Sequence, residues 1–492
     1  MNVAGTAAKN KKIEISNVKR APIIISLLIG AFVGILNETL LGNALPELMR
    51  AFSVTPSTIQ WLSTAYMLVV GVLVPITAVI QQWFTTKQLF LTAMITFLAG
   101  TLLAAVAPSF GFLLAGRIVQ ALGTGLLLPI TMNTILLIFP PEKRGGAMGL
   151  IGLVMMFAPA LGPTLSGVII DSLNWRWLFY AVIPFAAISI IVGAKYLTNV
   201  MEIRKPKIDI FSIILSTLGF GGIVYGFSKS GDLGWSDPEV YWTLIVGAVS
   251  LVWFIIRQLK IKNPILDLRT FKYPVFSLMV VLVVIIMMTM FSTMVLLPMF
   301  LQGVLLVTAF KSGLIMLPGS ILNGLMAPVS GKLFDKFGPR VVVIPGVLLI
   351  AVAMWLFSGI DASVTTGQII AIHCLLMVAI ALVMMPTQTH GLNQLSKDLY
   401  PHGTAIFTTL QQVAGSLGTA LFISRMSAGQ SDYLANSTNP NDQAEIGAAA
   451  LAGFEAAFTF GLIFAVIAIV VSLFIKRSKQ RKMAGLQMQI NK

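Results

Sequence analysis

Fourteen apolar stretches, each about long enough to cross a bilayer, follow one another along the chain. This succession constrains the fold more than any other feature. The stretches lie near 21–46, 60–81, 87–107, 111–138, 145–170, 175–197, 209–228, 240–260, 274–300, 311–330, 338–358, 367–389, 402–425 and 453–476. A membrane helix needs about 20 predominantly apolar residues. Most connections between the stretches are short, which favours antiparallel neighbours. The segment 426–452, with Ser431, Asp432, Asn436, Asn439, Asn441 and Asp442, is expected to be the one long polar loop.

Only 10% of the 492 residues are charged and mean hydropathy is +0.90. A soluble globular chain carries roughly 25% charged residues, so soluble enzymes are excluded, and disorder needs the opposite composition. A single cysteine, Cys374, excludes a disulfide framework. No Cys/His cluster has metal-ligand spacing, so no metal is expected. The first apolar stretch is too long for a signal-peptide core and no small-residue cleavage site ends it, so it is expected to stay as a span.

The net charge is +15, which in a soluble protein would suggest nucleic acid. An even number of spans puts both ends on one side. With that side cytoplasmic, 27 of the 33 basic residues are cytoplasmic and five, Arg50, Arg176, Lys229, Lys311 and Arg425, lie outside. This asymmetry follows the positive-inside rule and explains the charge without nucleic acid. The cytoplasmic set includes Arg204, Lys205, Lys207 and a basic C-terminal tail from Lys476. That tail is expected to fix orientation, with anionic lipid headgroups as the sharper alternative.

Only two of the eighteen acids, Glu38 and Glu455, fall within spans, Glu455 near an outer end. Arg117 is the one basic residue well inside a span, the others lying at span ends or in loops. A charge at membrane depth costs at least ~2.5–3.5 kcal/mol on insertion scales, so such residues usually face a cavity or a partner. Both readings stand for Glu38 and Arg117: a functional cavity, or a buried ion pair that fixes packing. Arg117, Gln120, Thr124 and Thr131 share one helical face. Gly30, Gly34 and Asn37 share another, with Glu38 at its edge, and Thr408, Gln411, Gln412, Gly415 and Thr419 form a third. These stripes either line a cavity or bind helices together. His373 reads as a packed histidine before a proton relay.

The decapeptide Gly331-Lys332-Leu333-Phe334-Asp335-Lys336-Phe337-Gly338-Pro339-Arg340 links the tenth and eleventh stretches. Gly331 and Gly338 permit a tight reversal. Asp335 can accept N–H bonds from the next helix or pair with Arg340. The segment resembles the G-x-L-x-D-x-x-G-x-R loop of the major facilitator superfamily. The corresponding first-half segment, 78–87, carries Gln82 in place of the acid and Thr85 in place of a glycine. Leu113-x-x-x-Arg117-x-x-Gln120-Ala121-x-Gly123 resembles that superfamily's fourth-helix arginine motif, with Ala121 where glycine is usual. Ala158-Pro159-Ala160-Leu161-Gly162-Pro163-x-x-x-Gly167 resembles its fifth-helix antiporter signature, and Ala158, Gly162 and Ser166 form a small face suited to close helix contact. Trp175-Arg176-Trp177-Leu178-Phe179 is similar to the start of its sixth helix. Leu36-Asn37-Glu38-Thr39-Leu40-Leu41-Gly42-Asn43-Ala44-Leu45-Pro46 resembles the first-helix signature of the fourteen-helix drug:proton antiporter branch, with Asn37 where Asp is usual and the acid one place later. The Asn-Glu-Thr order resembles the lincomycin and multidrug exporter subgroup.

The resemblance implies an all-α polytopic membrane protein with the major facilitator fold, its 14 transmembrane helices arranged 6+2+6. Residues 1–200 would form the first six-helix bundle, 201–270 an inserted pair and 271–492 the second bundle. It implies a plasma-membrane antiporter, not an enzyme, exporting lipophilic and often cationic drugs by alternating access. Protons would be the coupled partner, with no cofactor, and the chain would work among lipids as a monomer. Glu38 and Arg117 would carry proton coupling, and Asn37, Gln120, Thr124, Thr131, Gln411 and Gln412 would line the cavity. Gly331, Asp335, Gly338 and Arg340 would form the conformational loop, and Ala158, Pro159, Gly162, Pro163 and Gly167 the antiporter helix. No Walker motif is present, so ATP is not the expected energy source. Export of lipids or lipid-linked sugars is the alternative within transport. A membrane-embedded enzyme would need clustered His, Asp or Ser chemistry near an interface, which the sequence lacks.

Overall fold

The computed structural model describes residues 20–138, 144–199, 209–261, 264–361, 363–396, 399–437, 439 and 442–475. The basic tails and the Arg204, Lys205, Lys207 cluster lie outside these residues. The described residues form α1 (Arg20–Leu40), α2 (Leu45–Phe52), α3 (Pro56–Ile59), α4 (Trp61–Ile80), α5 (Thr86–Ala105), α6 (Phe110–Ile138), α7 (Arg144–Ser172), α8 (Trp177–Tyr180) and α9 (Ile183–Tyr196). The pair α10 (Ile210–Leu233) and α11 (Pro238–Lys260) follows. Then come α12 (Pro274–Gly303), α13 (Ala309–Phe337), α14 (Pro339–Ser358), α15 (Thr366–Leu392), α16 (Tyr400–Ala435) and α17 (Gln443–Leu473). Thirteen spans among the described residues are long and apolar enough to cross a membrane, and α7 is a further 29-residue helix.

Polar residues start several of these helices. Thr85 and Thr365 each form a capping box, with Gln88 and Gln368. Thr308 and Asp209 accept from the N–H groups of Lys311 and Ser212. Such caps satisfy amides that the first turn leaves unpaired. Proline marks the interruptions. The stretch 21–46 is not one helix: α1 stops at Leu40, a 3-10 turn spans Gly42–Ala44 and α2 begins at Leu45. Pro46 has no N–H to give the carbonyl of Gly42, which weakens the helix at this point, although prolines such as Pro159 and Pro163 are carried inside α7 without a break. Pro184 separates α8 from α9 in the same way.

One expectation fails on length. The segment 426–452 is mostly helical: α16 runs to Ala435 and α17 starts at Gln443, leaving only 436–442 between them. Glycines keep the two helices in contact past the apolar stretch. A Cβ on Gly453 would lie 2.5 Å from Gln430 Cγ, and one on Gly429 would lie 2.8 Å from Ala456 Cβ.

Among the described residues α1–α9 pack on one another and so do α12–α17, and the two groups meet broadly where α7 packs on α13 and α4 on α16. The pair α10–α11 crosses closely at Gly222 and Gly247, where a Cβ on Gly247 would sit 2.7 Å from Ile223 N. It rests on α16 and is fastened to both groups. Gln60 Nε2 donates to Ser228 Oγ at 2.9 Å, and Ser230 and Ser424 hydroxyls pair at 3.1 Å. At its other end Arg257 grips Asp209 through two bonds of 2.9 and 3.0 Å, which holds the Asp209 carboxyl below the usual range. Large apolar side chains such as Ile191, Val249, Trp242, Trp355 and Val470 point outward, while Thr101, Arg117, Gln120, Ser312 and His373 are buried. Apolar outside and polar inside is the pattern of a bundle solvated by lipid.

Candidate functional site

The polar face of α6 builds the interior of the first group. Arg117 is wholly buried. Its Nε donates to the Leu62 carbonyl at 3.2 Å, and its Nη1 to the Asn37 carbonyl at 3.3 Å and to Gln120 Oε1 at 3.0 Å. The guanidinium lies over the Tyr66 ring, 4.1 Å from its centroid. Gln120 Nε2 donates to Thr101 Oγ1 at 2.9 Å, and the Tyr66 hydroxyl donates to Thr124 Oγ1 at 2.7 Å. The Asn37 carbonyl belongs to the last turn of α1, where carbonyls run short of helical partners and a cation is favourable.

The arrangement joins α1, α4, α5 and α6. In this conformation Arg117, Gln120 and Thr124 are engaged within the first group and do not open onto a cavity. The Arg117 guanidinium is held by Gln120 and main-chain carbonyls, with its Nη2 left without a partner among the described residues. Carbonyl oxygens and the Tyr66 ring solvate it better than a lipid-walled gap would. Thr131 is buried with its hydroxyl unpartnered.

Arg117→Lys keeps the charge and loses the planar fork. It should lower both transport and thermal stability, because each lost charge-assisted bond is worth about 1.5–3 kcal/mol. Export by reconstituted protein and its melting temperature in detergent check this. Wild-type values for both would mean that charge alone suffices.

Glu38, one residue beyond Asn37, points elsewhere. No ion pair joins it to Arg117 among the described residues. Its carboxylate lies beside the Gln412 side chain of α16, in the second helix group, and within the field of Arg117. Its Oε1 is buried without a hydrogen-bond partner, as are Asn37 Nδ2, Thr409 Oγ1 and Gln412 Oε1. Gln411 and Gln412 are half-buried. A Cβ on Gly71 would lie 3.1 Å from Gln412 Cβ, so α4 and α16 meet here, and Ser416 donates to the Thr64 carbonyl at 3.0 Å. Unpaired buried polar atoms are costly unless water or a ligand completes them. Glu38 and Gln412 therefore sit where the two groups meet, each with an unpaired side-chain oxygen that a bound molecule could satisfy.

The antiparallel contact of α7 with α13 uses a different face from the one the small-residue spacing marks. Gly162 packs on Thr39 of α1, where a Cβ would lie 2.2 Å from Oγ1 and 2.8 Å from Thr39 Cβ. Ala158 and Ser166 are fully buried, and Pro159 is half-buried. Pro163 and Gly167 instead face α13. A Cβ on Gly167 would lie 2.4 Å from the Ala309 oxygen, and one on Gly313 would lie 2.5 Å from the Pro163 oxygen. Asp171 accepts from the Phe310 N–H at 3.0 Å, and Thr164 donates to the Gly313 carbonyl at 3.2 Å. The buried Asn43, which sequence reasoning quoted only as part of a motif, stands at this seam with Gln302 and Ser312. Nothing in the sequence singled out Gln302, Ser312 or Tyr66.

The decapeptide is corrected in one respect. Gly331 and Asp335 lie inside α13, and only Gly338, at φ 83°, makes the reversal. Asp335 is exposed with no hydrogen bond or ion pair among the described residues, so it neither caps α14 nor pairs with the exposed Arg340 here. The N1 position of α14 is Pro339, which has no N–H to be capped. His373 is buried, and its ring fills the slot left by Gly319, whose Cβ would lie 2.3 Å from Nδ1. Glu455 is exposed beside Arg425 in a groove of about 240 Å³ between α16 and α17.

The family model described as Major Facilitator Superfamily matches residues 27–419. The chain belongs to this superfamily. Among curated superfamily relatives, the lincomycin resistance protein LmrB of Bacillus subtilis is 55% identical over 463 residues, 94% of this chain and 97% of that protein. The LmrB protein of Listeria monocytogenes is 50% identical, covering 94% of this chain and 98% of its own. The multidrug transporter protein MdtP of Bacillus subtilis is 27% identical over 86% of this chain and 78% of that one. Among solved superfamily-like folds, a bacterial homolog of the human lysosomal transporter Spinster, inward-facing and unoccupied, aligns with a TM-score of 0.67 at 13% identity, covering 92% of this chain and 96% of the other. A POT family transporter in complex with 5-aminolevulinic acid aligns at 0.66 and 12% identity, covering 92% and 94%. The superfamily chain is thus a multi-pass membrane transporter of small molecules, not an enzyme.

Proposed function

We propose that this transporter is a proton-coupled antiporter that exports lipophilic, often cationic antibiotics by alternating access, with the likeness to lincomycin resistance proteins making lincosamides the first substrates to test. The observation that carries the reading is Glu38, a carboxylate on the first membrane-spanning helix beside Gln412 of the other helix group, each with a buried side-chain oxygen left without a hydrogen-bond partner among the described residues. A site at the interface of two halves can be exposed to either side as they rock. A cationic drug and a proton would compete for one carboxylate, which couples their flows, and a tenfold proton ratio supplies about 1.4 kcal/mol per proton. We place the protein in the plasma membrane with both termini cytoplasmic, as the distribution of basic residues favours. Residues 1–200, 201–270 and 271–492 would be the moving and inserted units. No cofactor is required beyond the proton gradient.

The test is export of lincomycin and of a cationic dye from vesicles holding purified protein, with and without an imposed pH gradient. Transport of both only with the gradient supports the reading. Gradient-independent transport would remove proton coupling, and movement of lipid-linked sugar in place of drug would redirect the substrate class.

Alternating access also gives Asp335 a role in the state opposite to this one. The seam at α7 and α13 is closed here while the far end of α13 is exposed. In the other state that far end closes and Asp335 is placed to be engaged. Asp335→Ala should lower export several-fold without loss of protein from the membrane. Gln82→Ala should have a much smaller effect, because that segment already lacks the acid. Initial export rates per amount of membrane-inserted protein decide this, and equal damage from both would argue against it.

A further inference from the structure

Asn43 is fully buried, and every hydrogen-bonding position of its side chain is filled. Its Nδ2 donates to the Pro163 carbonyl of α7 at 3.0 Å and to the Ala309 carbonyl of α13 at 2.8 Å. Its Oδ1 accepts from Ser312 Oγ of α13 at 2.8 Å and from Gln302 Nε2 of α12 at 3.1 Å. Gln302 Nε2 also reaches the Asn43 backbone oxygen at 2.9 Å. Two carbonyls face the amide nitrogen and two donors face its oxygen, so the amide fits in only one orientation. Pro163 belongs to the first helix group, whereas Ala309, Ser312 and Gln302 belong to the second. The break between α1 and α2, just before Pro46, puts Asn43 in a 3-10 turn at this seam.

We infer that Asn43 is a positioning residue for the transport cycle, an amide latch that holds the end of the seam near Ala309 closed and so sets how often the transporter opens on that side. This rests on the alternating-access reading above. Separating α7 from α13 breaks the bonds to Ala309, Ser312 and Gln302 together and leaves a buried amide to find water. A satisfied polar network buried among apolar helices has two discrete states, made or broken, as a gate needs. The same contact is tightened by the glycines at 167 and 313, whose missing side chains let the backbones approach.

The experiment measures distances by pulsed electron spin resonance between labels at Val106→Cys and Lys311→Cys, exposed positions on opposite groups. The background is Cys374→Ala in lipid nanodiscs. Wild type is expected to show a short and a long distance whose populations shift with pH or lincomycin. Asn43→Ala should raise the ratio of long to short at least tenfold. Asn43→Asp keeps the shape but faces two carbonyls with an acceptor, and should shift it likewise. Should Asn43→Ala fail to fold, Gln302→Met with Ser312→Ala removes two of the three second-group partners while leaving Asn43 bonded to Pro163 and Ala309, and should shift the ratio in the same direction. If wild type exchanges between two distances and these variants keep its populations, the latch is refuted while alternating access stands. One unchanging distance in wild type under all conditions would overturn both.

Discussion

Gly167→Ala is expected to abolish export while leaving the protein folded in the membrane. The added Cβ would lie 2.4 Å from the Ala309 oxygen and 2.6 Å from Phe310 Cα, where optimal carbon contacts are about 3.5–4.0 Å. Both neighbours are backbone of α13, so no rotamer change relieves the overlap. The helix must retreat and carry with it the carbonyl that Asn43 uses. Export should fall below roughly a tenth of wild type, since about 1.4 kcal/mol already changes an equilibrium tenfold. Gly162→Ala is the control. Its Cβ would also overlap Thr39, but Thr39 belongs to the same helix group, so the cost falls on stability first and on closure of the seam second. Lincomycin export normalised to membrane-inserted protein, alongside melting temperature, separates the two. Normal export by Gly167→Ala would mean that the seam need not close this tightly during transport.

Glu38→Gln is expected to leave a folded, membrane-inserted protein from which drug no longer releases protons. Glutamine keeps the size and can still meet Gln412, but it has no proton to exchange. The competing reading, in which Glu38 serves only to pair with Arg117, has no ion pair to support it among the described residues: Arg117 donates to Leu62, Asn37 and Gln120 and lies over Tyr66, while its Nη2 stays unpartnered. Glu38→Ala cannot distinguish the readings, because both predict damage. The deciding measurement is the pH change on adding lincomycin to unbuffered, detergent-solubilised protein. Release that persists in the Gln variant would move the coupling site to His373 or Glu455. The first is buried against Gly319 and the second is exposed beside Arg425, so neither stands where the helix groups meet.

Some of these residues announced themselves in the sequence. Glu38 and Arg117 were legible because a charge inside an apolar stretch is conspicuous at any position, whatever its partner. The breaks at Gly42 and between α8 and α9 were available in Pro46 and Pro184. The helix α7 was legible as a run of small residues and prolines, but not its division of labour. Gly162 and Gly167 look alike in sequence, and only the packing gives the first to α1 and the second to α13.

The sequence by itself determined the succession of spans, their helical character and the family. Each follows from apolar length, charge or a short local motif, and none requires knowing what lies across from a given residue. The tertiary structure decided everything that depends on a partner. Gln120 and Thr124 became part of a closed network with Thr101 and Tyr66 instead of a cavity wall, Asp335 has no partner among the described residues, and 426–452 became largely helix because Gly429 and Gly453 let α16 and α17 stay in contact. Asn43 acquired its meaning from Ser312 and Gln302, more than 250 positions away. In lipid a polar side chain must find a partner, and hydropathy records that need without recording which helix meets it.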